Sequence, residues 1–269
     1  MMFVEWMALY ALLGACVGFM AGLLGVGGGG MLVPVLAMLF SHQGFDTGHV
    51  MHLALGTSFA CMIVSSAASI RAHRARGNVV WAIFYGMAPG IITGTFLVSL
   101  VSTHVNSTYI ALFFTFFMAL IAVQMFLQWT PKTSNNPVKP SELFFAGTGI
   151  GSVSALAAVG GGFLVVVYLT YKGLVMKKAI GTSAAIGFPI AIAGTIGYLI
   201  SGWSGMSGDQ HTLGFIYVPA FLGISMASML TVPFGVRSAQ RLPDIYLKRI
   251  FACVCLALSI KMLFSITGT

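Results

Sequence analysis

Apolar residues run along this chain in unbroken blocks rather than alternating with polar ones, and most blocks are long. A block of about 20 residues is what a helix needs to cross the hydrocarbon of a bilayer, whereas barrel strands would show a period of two. The pattern predicts eight spans, over 6–26, 52–70, 79–101, 108–129, 143–159, 179–201, 212–234 and 250–266. No Lys or Arg precedes the first block, so it is read as a span and not as a cleaved signal. Two shorter blocks, Met31 to Phe40 and Phe163 to Tyr171, stand directly behind glycine runs. At 1.5 Å per residue each reaches about 15 Å, half the hydrocarbon core, so both are predicted as re-entrant pieces or half-helices.

Composition sharpens this picture. Of 269 residues, 58% are hydrophobic and 7% charged, against about 25% charged in an ordinary globular chain. That excludes a soluble domain, a disordered chain and a coiled coil, and leaves an all-α polytopic membrane protein with the lipid bilayer as its solvent. The net charge of +8 is not a nucleic-acid signature, because the basic residues fall in loops. Arg71, Arg74, Arg76, Lys132, Lys139, Lys172, Lys177, Lys178, Arg237, Arg241, Lys248 and Arg249 share one side if the short pieces fold back, and only Lys261 falls elsewhere. The positive-inside bias makes that side cytoplasmic, with both termini on or near the outer face.

The chain also repeats itself. Val26, Gly27, Gly28, Gly29 and Gly30, followed by MLVPVLAMLF and then by Ala54-Leu55-Gly56-Thr57-Ser58, recur as Val159, Gly160, Gly161 and Gly162, followed by FLVVVYLTY and Ala179-Ile180-Gly181-Thr182-Ser183. Pro89 and Pro219 stand at comparable places in the next spans. The division is a first transmembrane repeat over 1–130, a cytoplasmic linker over 131–142 and a second repeat over 143–269. Each half makes an odd number of crossings, so the halves insert in opposite senses, the inverted-repeat plan of many secondary transporters.

In hydrocarbon an unwound backbone survives only where protein buries it or a watery cavity bathes it. Helices restarting after Gly27 to Gly30 and after Gly160 to Gly162 would aim free N–H groups and positive dipole ends into the membrane interior, a ready anion site. Pro34 fits near the first restart. The hydroxyls of Thr57, Ser58, Thr182 and Ser183 add neutral donors at the start of the following span. The competing reading is that the glycines merely permit close helix packing and that the hydroxyls bond back to their own helix. Duplication at matching places favours a substrate site.

At these residues the chain resembles the TauE/SafE family of bacterial and archaeal sulfite or organosulfonate exporters. The likeness runs through Gly22-Leu23-Leu24-Gly25-Val26, the glycines to Gly30, Pro34, the segment GSVSALAAVGGG over 151–162 and the paired Gly-Thr-Ser segments. The second glycine run departs from the first in lacking a following proline, and its short piece is rich in β-branched residues. The resemblance implies a transporter of small anions such as sulfite or sulfonates, with no cofactor and no catalytic residues.

None of Glu5, Asp46, Glu142, Asp209 and Asp244 falls inside a predicted span, so no carboxylate relay at membrane depth drives coupling. Export of an anion from a negative interior needs none, and alternating access around the glycine breaks is the expected mechanism. Lys177 and Lys178 are candidates for gathering anions at the entrance, beside their plainer role as topology-setting flanks, which is also the reading given to Arg71, His73, Arg74 and Arg76. His52, which aligns with Lys177, is a candidate for proton sensing or gating, and His49-x-x-His52 shares a helix face without making a metal site. Cys16, Cys61, Cys253 and Cys255 sit in apolar runs and imply no disulfides. An anion channel, and behind it an intramembrane metal-dependent enzyme, are the alternatives; glycine-rich faces allow a homodimer.

Overall fold

The computed structural model describes residues 3–24, 27–102, 104–126, 139–158, 162–203 and 211–239, with scattered helical positions between 249 and 263. Among these are nine helices: α1 (Phe3–Leu24), α2 (Gly29–His42), α3 (Val50–Arg74), α4 (Trp81–Ser102), α5 (Ser107–Phe126), α6 (Pro140–Ala157), α7 (Gly162–Tyr171), α8 (Met176–Gly202) and α9 (Val218–Ala239). A short antiparallel ribbon, β1 (Thr212–Leu213) with β2 (Ile216–Tyr217), precedes α9. Six helices, α1, α3, α4, α5, α8 and α9, are long and apolar enough to cross a membrane. The expected block at 143–159 is α6, whose first turn carries Pro140 and Glu142. The block at 250–266 lies mostly outside the described residues, as does most of the linker.

One boundary differs clearly from the sequence reading. The block expected from 212 spends its first six residues on the ribbon and its lead-in, so α9 starts at Val218. Pro219 is therefore the second residue of its helix while Pro89 is the ninth of α4, and the two prolines do not correspond. Both short pieces are helical, the β-branched α7 included, because burial leaves their backbone groups no water to bond and a helix satisfies them internally.

The two most buried long helices, α3 and α8, pack on each other at the centre. Around them α1 lies along α9 and α4 along α6, α9 also rests on α3 and α4 on α8, and the short helices α2 and α7 sit on α3 and α8. Small residues make this close packing possible, since lipid supplies no hydrophobic force between helices. Gly14, Gly18 and Gly22 of α1 face the backbone of Ile224, Ser228 and Val232, and Gly147 and Gly151 of α6 face that of Met87 and Ile91. Tyr85, Leu97, Phe116 and Leu120 are exposed on the outer faces of α4 and α5, where acyl chains would cover them.

Helix directions gather basic residues at one end. Gly181, just behind Lys177 and Lys178, touches Asn78, just past Arg71, Arg74 and Arg76, and Lys172 at the end of α7 pairs with Glu142 at the start of α6. Opposite lies the loop around 43–49 with the ribbon. There His49 bonds the Asp46 carboxylate at 2.6 Å, and that bond, helped by the Gly48 backbone, holds Asp46 below the usual carboxylate range. A depressed folded pKa stabilises above the unfolded value of about 3.9 and is lost as pH falls through the folded one. An NMR titration is expected to find Asp46 ionised at pH values where free Asp is half-protonated, and His49→Ala to bring it part of the way back, since the Gly48 backbone bond remains.

Candidate functional site

The first glycine break is tighter than expected. Gly27 and Gly28 alone take left-handed conformations, with φ of 72° and 77°, and Gly29 already begins α2. Two such residues suffice to reverse the chain, after which Met31 and Leu32 N–H groups both donate to the Gly28 carbonyl. Gly29 and Gly30 are thus helical rather than unwound. Pro34 is the sixth residue of α2, past the first turn, and its missing N–H leaves the Gly30 carbonyl without its usual helical partner. Gly28 is the N-cap of α2 and no side chain caps the helix start, so the Gly29 and Gly30 amides have no intrahelical acceptor.

Of the second break, Gly160 and Gly161 lie outside the described residues. Its borders are described: Ala158, left-handed at φ 45°, ends α6, and Gly162 begins α7. The two breaks meet. A methyl group on Gly29 would overlap the Ala158 carbonyl oxygen, and Met62 of α3 covers the same spot. Each break is also tied to the long helix behind it: Ser65 donates to the Gly27 carbonyl at 2.8 Å and Ser183 to the Gly162 carbonyl at 3.0 Å.

Thr57, Ser58, Thr182 and Ser183 are all fully buried and stand two turns inside α3 and α8, not at their starts. The threonines already have partners. The Tyr217 N–H donates to Thr57 Oγ1 at 3.0 Å, and the Val80 N–H donates to Thr182 Oγ1 at 3.0 Å. Each threonine thereby pins the backbone just before a helix, α9 in one case and α4 in the other, while its own O–H remains a donor. Ser58 Oγ has no hydrogen-bond partner. Thr57→Val or Thr182→Val strands a part-buried N–H and is expected to cost about 1 kcal/mol, read as a lower thermal midpoint in detergent; Thr→Ser at either position is expected to restore most of it.

The imidazole of His52 is occupied. The His52 Nε2–H donates to the Ser102 carbonyl at 3.1 Å, Nδ1 lies 3.3 Å from Ser107 Oγ, and the ring packs on Phe215. It is bound into the junction of α3, α4 and α5 and is not beside the glycine breaks. Lys177 and Lys178 are exposed in the first turn of α8, at the basic end. Among the described residues no three His, Cys, Asp or Glu side chains gather.

The sequence reading missed Ser65, Met62 and Ala158. Ser65 and Met62 look like ordinary α3 residues until the break folds against them, and nothing in the letter Ala signals a left-handed φ.

A family model described as sulfite exporter TauE/SafE matches residues 10–262, the stretch that holds both breaks and both Gly-Thr-Ser segments. The chain belongs to the TauE/SafE family. It is 34% identical over 252 residues to a "Probable membrane transporter protein" of Haemophilus influenzae, a match covering 93% of this chain and 96% of that one. A protein with the same description from Methanocaldococcus jannaschii is 24% identical over 264 residues, 97% of each chain. One from Bacillus subtilis is 23% identical over 239 residues, 86% of this chain and 89% of the other. No solved structure matches. This TauE/SafE chain is thus a multi-pass membrane protein of a transporter family.

Proposed function

We propose that the protein exports small anions, sulfite or organosulfonates, across the inner membrane by alternating access around the paired glycine breaks. The observation that carries this reading is the meeting of Gly29 with Ala158, which brings the uncapped start of α2 to the edge of the second break. Free amides and a positive dipole end at membrane depth suit an anion, and neutral donors hold it without the cost of burying a fixed charge.

The helix pairing supports reading the two halves as an inverted repeat, and with it a rocking mechanism. Exchanging α1 with α6, α2 with α7, α3 with α8 and α4 with α9 maps each principal helix pair onto another: α1 on α9 becomes α6 on α4. The same exchange carries Gly14 and Gly18 to Gly147 and Gly151, and the Thr57 bond to the Thr182 bond. The basic end faces the cytoplasm in this reading and gathers anions through Lys177 and Lys178. With the interior negative, outward movement of one negative charge is favoured by about 2.3 kcal/mol per 100 mV.

Proteoliposomes loaded with sulfite or sulfoacetate test this. Efflux is expected to saturate with concentration and to accelerate when the interior is made negative. Flux indifferent to potential and strictly following a pH gradient overturns the potential-driven mechanism, and unitary currents without saturation replace the carrier by an anion channel.

A further inference from the structure

We infer that one face of α3, carrying Ser58, Ser66, Ser69 and His73, is an oxyanion-binding lane that runs past the first glycine break, from Ser58 on one side of it through Ser66 beside it to His73 at the basic end of the protein. The inference rests on the anion-transport reading and adds residues to it. All four side chains are at most 5% exposed, and the three hydroxyls and both imidazole nitrogens have no hydrogen-bond partner among the described residues. Elsewhere many helical hydroxyls bond back to their own helix: Ser41, Thr93, Thr115, Thr170, Thr195 and Ser201 each donate to the carbonyl four residues back. Ser154 and Ser225 are also unpartnered, but each stands alone on its helix. Among the described residues α3 alone repeats the feature, at spacings that put the four groups within about 80° of one another around the helix.

The face points at the break. The space beside Gly27 is bounded by Met62 Sδ and Ser66 Oγ, so the lane passes where α2 begins. From Ser66 to His73 is seven residues, about 10 Å along the axis, which reaches the last turn of α3 with Arg71 and Arg74. Those arginines are on the opposite side of the helix, lining an open groove with Ala67, Ile70 and Phe188, so they do not pair with the lane's groups. Buried hydroxyls and an imidazole offer O–H and N–H donors in sequence, suited to an anion with several acceptor oxygens and to no apolar cargo. An imidazole with both nitrogens buried and unbonded has no packing reason to be there, since an apolar residue of similar size would fill the space without an unmet donor.

Thiol accessibility separates this from the parent reading. In a parent with Cys16, Cys61, Cys253 and Cys255 replaced by Ala, Ser66→Cys, Ser69→Cys and the off-lane control Ala60→Cys are reconstituted and treated with the anionic reagent methanethiosulfonate ethylsulfonate. Cysteines at 66 and 69 are expected to react about tenfold faster than at 60, since a thiol reacts only where the reagent reaches it, and sulfoacetate is expected to slow them. His73→Leu is expected to lower sulfoacetate flux about tenfold and His73→Gln, which keeps a donor and an acceptor, to retain most of it. If 66 and 69 react no faster than 60 while the parent still carries sulfoacetate, the lane is wrong and the transport reading stands. Fast labelling that sulfoacetate does not slow also overturns the lane, and if the parent then carries no anion both readings fall.

Discussion

Gly29→Ala is expected to abolish anion flux in reconstituted vesicles while leaving an inserted, folded protein. Gly29 is the first residue of α2 and its backbone does not need glycine. What forbids a methyl group there is the neighbour: it would overlap the Ala158 carbonyl and press on Met62 Sδ. Backbone cannot swing aside as a side chain can, so α2 and the end of α6 must separate. Overpacking of this kind costs about 1–3 kcal/mol, and about 1.4 kcal/mol is already a tenfold loss of affinity. The loss is expected to exceed tenfold because the displaced groups are the ones proposed to bind the anion. Gly149→Ala is the control, since nothing lies within 4 Å of the added carbon and alanine favours the helix. Equal flux in the two variants would mean that the meeting of the breaks does not matter for transport.

The second large effect is on stability. Gly14→Ala in α1 and Gly90→Ala in α4 each drive a methyl group into the backbone of a partner helix, at Ile224 and at Phe144 respectively. Helices associating in lipid depend on such close approach. Each substitution is expected to cost about 1–3 kcal/mol and to lower the thermal midpoint in detergent by about 3–10 °C. Gly147→Ala, facing the Met87 carbonyl, is expected to behave like Gly14→Ala. A midpoint unmoved by any of the three would show that the α1 with α9 and α4 with α6 contacts are looser than described.

Much of the helical layout is legible in the sequence because block length and hydropathy are local properties. Six long apolar helices lie on blocks read as spans, and both short pieces follow their glycine runs. Helix starts are less legible. Apolar residues continue through the ribbon at 212–217, so hydropathy alone does not separate it from α9. The roles of Thr57 and Thr182 were hidden for a different reason: their partners, Tyr217 and Val80, are 160 and 102 residues away in the chain. A hydroxyl that looks free in the sequence is claimed by a distant helix start.

The break itself was half readable. Glycines in a run announce where the chain can turn, but not that the turn ends after Gly28 and leaves Gly29 to pack against another backbone. His73 was read with its arginine neighbours as a flank, and only burial separates it from them: it turns inward while Arg71 and Arg74 face the opposite way.

Anion binding to the purified protein tests the central claim most directly. Thermal stabilisation is measured with sulfite, thiosulfate, sulfoacetate, sulfate and carboxylates, on the unaltered chain and on Gly29→Ala. Saturable stabilisation by a sulfur oxyanion or sulfonate is expected on the first and its loss on the second. Stabilisation by none of them, or by the same anion equally in both proteins, would contradict a shared site where the two breaks meet.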